Sequence, residues 1–227
     1  MPPRANHYLH GNAPDSSPVS LLIIDAINDL EFDGAATMLP RAIRMARCIA
    51  RLKAKASTLR IPTIYVNDNF GRWRSDFHRI VAHCLEDDVR GRPVVEQLVP
   101  DETDYFVLKP KHSGFYNTTL DLLVDYLETQ TVILTGIATD VCVLFTAADA
   151  YMRDLRVIVP SDCVTALTPA VHRAALAQMR TVLKAEVVPS ASLDLARLAR
   201  SRRLSRRQSR SASTAKRRGQ GRPGRRG

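Results

Sequence analysis

The residues best placed for covalent chemistry lie in one short run, Thr135-Gly136-Ile137-Ala138-Thr139-Asp140-Val141-Cys142-Val143. A cysteine becomes a strong nucleophile once a neighbour takes its proton. The apolar, β-branched run at 131–134 reads as a buried parallel strand. After it, Val143, Leu144, Ala147, Ala148 and Tyr151 recur at helical spacing. Gly136 supplies the turn, and Thr139 or Asp140 can cap the helix. Cys142 is therefore expected in the first turn of a helix, where free N–H groups and the helix dipole lower a thiol's pKa from about 8.5. Position alone leaves a second reading open, a small buried cysteine filling a gap between helix and sheet.

Three further groups have the types such a thiol needs. Asp25 closes the apolar run at 19–24, Asp68 follows a strand predicted at 62–66, and Lys109 follows one predicted at 104–108. A charge at the end of a buried strand is costly unless it is paired or used. A carboxylate beside the thiol can take its proton, and a lysine beside both can steady the resulting charges. Each alone has a plainer explanation: a helix cap for Asp25, a snorkelling amine for Lys109, packing for Cys142.

The elements that must position these groups alternate between strand and helix. A helix is predicted over 41–59, with Ile43, Ala46, Cys48, Ile49 and Leu52 on its apolar face. Residues 78–100 are mixed, with breaks at Gly91 and Pro93. Leu120, Leu123, Val124 and Leu127 mark another helix. A strand at 155–159, a loop at 162–165, a helix at 170–183 opened by Pro169, and a short strand at 186–188 follow. This is an α/β pattern: a three-layer, doubly wound, mainly parallel sheet of about six strands, with helices on both faces. Right-handed crossovers place all strand C-terminal ends on one rim, so Asp25, Asp68, Lys109 and Cys142 are expected to share a crevice. Neither a GxGxxG after the first strand nor a GxxxxGK[ST] is present, which argues against dinucleotides and nucleoside triphosphates.

The runs Leu22-Ile23-Ile24-Asp25-Ala26-Ile27-Asn28-Asp29, Lys109-Pro110-Lys111-His112-Ser113-Gly114-Phe115-Tyr116 and 135–143 together resemble the isochorismatase-like cysteine hydrolases. That family includes nicotinamidases, N-carbamoylsarcosine amidases and ureidoacrylate amidohydrolases. The resemblance spans 19–188. It implies a triad of Asp25 (general base), Lys109 (charge stabiliser) and Cys142 (nucleophile). It also implies a cis peptide between Ile137 and Ala138, with the Ala138 and Cys142 N–H groups forming an oxyanion hole. The implied reaction is hydrolysis of a C–N bond in a small amide or carbamoyl compound through a thioester, without a cofactor. Relatives commonly assemble, so a homo-oligomer is expected.

Nicotinamidases hold a metal through an aspartate and two histidines after the second strand. Here that place reads Asn67-Asp68-Asn69-Phe70-Gly71-Arg72-Trp73, with the aspartate but neither imidazole, so no metal is expected. Asn67, Asn69, Arg72, Trp73 and Arg74 read instead as a pocket wall for a polar or anionic substrate, with Arg72 or Arg74 forking a carboxylate. A solvated surface loop is the alternative. His112 reads as either a pocket residue or a polar loop residue.

Composition bounds the remaining possibilities. The formal charge of +10 is unevenly placed: 12 of the 33 bases fall in residues 200–227, which contain no acid, leaving 21 bases against 23 acids elsewhere. A leader at 1–18, a hydrolase domain at 19–195 and a basic, disordered tail at 196–227 are expected. A tail that contacts nucleic acid or an acidic partner is the alternative, on a catalytically idle binding module of the same fold. The intact Asp, Lys and Cys set argues against that module. Four cysteines without a CxxC pair, and no secretion signal, point to a cytoplasmic protein. No run approaches the roughly 20 apolar residues of a membrane span.

Overall fold

The structure is a computed structural model and describes residues 16–69 and 76–200. The chain begins with β1 (Val19–Ile24) and the long α1 (Ala35–Thr58). Then come β2 (Thr63–Asp68), α2 (Phe77–Glu86), α3 (Arg92–Val95) and β3 (Tyr105–Lys109). Next are α4 (Leu120–Tyr126), β4 (Thr131–Ile137), a π-helical turn (Thr139–Val143) and α5 (Leu144–Met152). The chain continues through β5 (Arg156–Pro160), β6 (Val164–Thr165), α6 (Pro169–Thr181), β7 (Glu186–Val188) and α7 (Leu195–Arg200).

The sheet runs in the order β3-β2-β1-β4-β5-β7, with β6 pairing β4 off that path, and every pairing is parallel. The chain winds outward through β2 and β3, then returns to the other side of β1. The switch point therefore lies between β1 and β4, the place where open α/β sheets bind ligands. β1 is buried along its whole length. Its alternate residues serve separate cores: Leu21 and Ile23 pack under α1, α2, α3 and α7, while Leu22 and Ile24 pack under α4, α5 and α6. This period of two explains why the strand is apolar throughout rather than alternating.

Three element boundaries differ from expectation. α1 starts at Ala35 rather than 41 and carries Pro40 inside, because buried Ala35 and Met38 hold its first turns against the core. The segment expected as a loop at 162–165 contains β6, whose two residues pair Gly136 and Ile137. The composition break at 196 falls inside α7, where Leu195 and Leu198 are buried in the core beside α1. The packed body thus reaches Arg200. Among the described residues, no helix is long and apolar enough to cross a membrane.

Candidate active site

Reading across the sheet, β3, β2, β1 and the turn after β4 present Lys109, Asp68, Asp25 and Cys142 in that order. Asp25 follows β1 in a left-handed conformation (φ 47), with its N–H bonded to the Val66 carbonyl at 2.9 Å. Its Oδ1 accepts the Asp68 N–H at 2.6 Å, and its Oδ2 lies 2.7 Å from Lys109 Nζ. Lys109 is fully buried, and its ammonium also reaches Asp68 Oδ2 at 3.4 Å and Cys142 Sγ at 3.5 Å. Lys109 follows Val107 by two residues, so it rises on the face of the sheet that carries α4 and α5.

Electrostatics couple the three groups. Burial raises the Asp25 carboxyl above the usual carboxylate range, against the opposing pull of Lys109. Burial disfavours the Lys109 ammonium, but Asp25, Cys142 and Asp68 outweigh it and hold its pKa above the ordinary value. Burial and the adjacent Asp25 carboxylate push the Cys142 thiol up to about 12. The lowered thiol pKa expected from a helix N-terminus is therefore reversed. Cys142 sits inside the π-helical turn, ahead of the first α5 residue, and faces a carboxylate that disfavours its anion.

Two glycines and a threonine hold this arrangement together. Gly136 (φ 108) stays within β4, where a Cβ would stand 1.9 Å from the Ile24 carbonyl oxygen, so only glycine lets β4 approach β1 this closely. The next peptide bond, Ile137–Ala138, is cis, and the Ala138 carbonyl accepts the Val143 N–H at 3.1 Å. Thr146, fully buried on α5, donates to the Cys142 carbonyl at 2.7 Å and accepts the Gly114 N–H at 3.0 Å. It ties the loop after Lys109 to the turn that bears the thiol. Sequence reasoning missed Thr146, although its place four residues after Cys142 is the spacing at which a threonine bonds back to a helix carbonyl.

The expected pocket wall is only partly realised. Asn67 is fully buried; its Nδ2 donates to the Ile27 carbonyl at 2.7 Å and so braces the loop after β1, while its Oδ1 meets no partner among the described residues. It shares the sheet face of Tyr65, two residues before it, rather than that of Lys109. Asn69 is also buried, and its N–H bonds the Lys109 carbonyl at 3.0 Å. Arg72, Trp73 and Arg74 lie outside the described residues. His112 is exposed on the loop after Lys109, with its ring 5.5 Å from that of Phe145, three residues beyond Cys142. Asp68 directs its carboxylate at Lys109. Among the described residues, no three His, Cys, Asp or Glu side chains stand together as metal ligands.

Residues 19–192 match the model of the isochorismatase domain. The chain belongs to the isochorismatase family. Its relatives include the isochorismatase family protein YaaI of Bacillus subtilis, 39% identical over 74% of this chain and 92% of that protein. A second is the ureidoacrylate amidohydrolase RutB of Methylobacterium radiotolerans, 42% identical over 89 residues, which span 39% of this chain and only 34% of that enzyme. The crystal structure of N-carbamoylsarcosine amidase from Thermoplasma acidophilum superposes with a TM-score of 0.61 at 29% identity, covering 78% of this chain and 98% of that one. The isochorismatase fold of this chain, a parallel sheet with helices around it, is the architecture of that structure as well.

Proposed function

We propose that this isochorismatase-family hydrolase cleaves the C–N bond of a small amide or carbamoyl compound through a thioester on Cys142. The observation that carries the reading is Lys109 Nζ, sealed from solvent, lying 2.7 Å from Asp25 and 3.5 Å from Cys142. Kinship with an amidohydrolase and an amidase supports the reaction class.

Asp25 takes the Cys142 proton as the sulfur attacks the carbonyl carbon, so ionisation of the thiol and bond formation proceed together. Lys109 offsets the negative charge shared between acid and sulfur. The Ala138 and Cys142 backbone N–H groups receive the carbonyl oxygen as it becomes an oxyanion, a role worth roughly 3–4 kcal/mol of barrier per donor. The tetrahedral intermediate collapses, the C–N bond breaks, and the proton on Asp25 passes to the leaving nitrogen. Water, deprotonated by Asp25, then attacks the thioester. The acid product departs and Cys142 recovers its proton. No step runs through a metal or cofactor.

Asn69 and His112, with Arg72 and Trp73 from the loop after β2, line the substrate side in this reading. A cytoplasmic homo-oligomer completes it, and light scattering on the purified protein checks the assembly. Ammonia release over a panel of amides, ureas and carbamoyl acids tests the chemistry. Cys142→Ala is expected to abolish turnover while its circular dichroism and melting midpoint match wild type. An alanine variant that still turns over at the wild-type rate sinks the proposal.

A further inference from the structure

On the side of β4 away from Lys109, a cavity of about 320 Å³ opens between α1, β6 and α6. None of Asp25, Lys109 and Cys142 lines it. α1 supplies Arg41, Arg44, Met45 and Cys48, spaced i, i+3, i+4 and i+7, so they form one stripe of the helix. His172 of α6 and Asp162 face them.

Two arginines and one carboxylate line this cavity: Asp162 faces Cys48, while its Oδ1 accepts the Ser190 N–H at 2.7 Å and its Oδ2 the Ser190 hydroxyl at 2.6 Å. Arg41 gives one amino group to the Leu167 carbonyl, but its Nε is buried and meets no acceptor among the described residues. A buried donor left without a partner is costly and rare. Arg44, exposed on the same stripe, adds a second cation.

The cavity also reaches the nucleophile's turn. His172 Nδ1 hydrogen-bonds the Thr139 hydroxyl at 2.9 Å. Thr139 is fully buried and opens the π-helical turn that holds Cys142 three residues later. Burial lowers the His172 pKa, with the nearby Arg173 and Arg41 acting in the same direction and Asp140 against it.

We propose that this cavity is a second ligand site, for a small carboxylate or phosphate held by Arg41 and Arg44, linked to the Cys142 turn through His172 and Thr139. The planar guanidinium fork suits either oxyanion, and the volume suits a compact ligand.

Isothermal titration calorimetry on the full chain, with inorganic phosphate and separately with succinate, tests the site. Saturable binding of at least one probe is expected, about tenfold or more weaker in Arg44→Gln and weakening as sodium chloride is added. Arg44 is exposed, so that variant keeps its fold, which its melting curve checks. Phosphate alone binding assigns a phosphate ligand, and succinate alone a carboxylate. The absence of saturable binding by either probe overturns the site, and so does equal affinity in Arg44→Gln. The link is read from the iodoacetamide alkylation rate of Cys142, followed by peptide mass spectrometry. A saturating probe should change that rate at least about threefold in wild type, and not in His172→Phe. An unchanged rate in wild type overturns the link.

Discussion

Among the described residues of this site Lys109 is the one full charge with no access to water, and two carboxylates face it. A buried ammonium persists only with such partners, because removing one partner of a buried pair strands the other. Asp25 carries the clearest pH signature. Its pKa is raised from 3.8, so the carboxylate that we propose accepts the thiol proton is lost as pH falls through that raised value. The acid limb of kcat/KM should therefore lie above pH 3.8, with the rate dropping about tenfold per pH unit below it. A profile that stays flat down to pH 4 rules out Asp25 as the base. The limb reports the coupled set of Asp25, Lys109 and Cys142 rather than one isolated carboxyl.

The loop after β3 is tied to α5 by the Ser113 hydroxyl bonding Asp149 and by Thr146, which among the described residues is the side chain that bridges the Gly114 N–H to the Cys142 carbonyl. Thr146→Val keeps the shape and strands a buried donor and a buried acceptor. It should cost about 1–3 kcal/mol in urea unfolding. Turnover should fall with it, since the thiol then loses its fixed aim, and Thr146→Ser should restore most of both. Gly114→Ala should also destabilise, by about 1–3 kcal/mol, because its Cβ would stand 2.7 Å from Val66 Cγ1. Much at this scale was legible from the residues. Strands β1 to β5 announce themselves as apolar runs, and the acids, the lysine and the thiol at their ends follow from the pattern. What failed to show has a common cause in tertiary packing. Two-residue β6 is too short to have a period, and Pro40 hides the first turns of α1. Asn67 faces inward because of strand parity, which the polar neighbours around it obscured. The thiol's raised pKa comes first from burial and then from a carboxylate that lies 117 residues earlier in the chain, neither of which the local sequence shows.

At the scale of the whole molecule, α7 shows that the packed body continues beyond the point where the composition turns basic. Leu195 and Leu198 are buried against α1's core. A chain ending at Asp194 should lose about 3 kcal/mol relative to one ending at Arg200, and melt about 10 °C lower in calorimetry. Equal melting points for the two chains would show that α7 adds nothing to the core.

The sheet order has one more consequence. β1 must wait for β4, more than a hundred residues downstream, and their union is marked by the Thr135 hydroxyl bonding the Leu22 carbonyl at 2.8 Å. Until that long-range pairing forms the acid and the sulfur stay on separate parts of the chain, so under the proposed mechanism a chain without it should be inactive. Recovery of catalysis after dilution from denaturant would then serve as a stopwatch for the joining of the sheet's two halves.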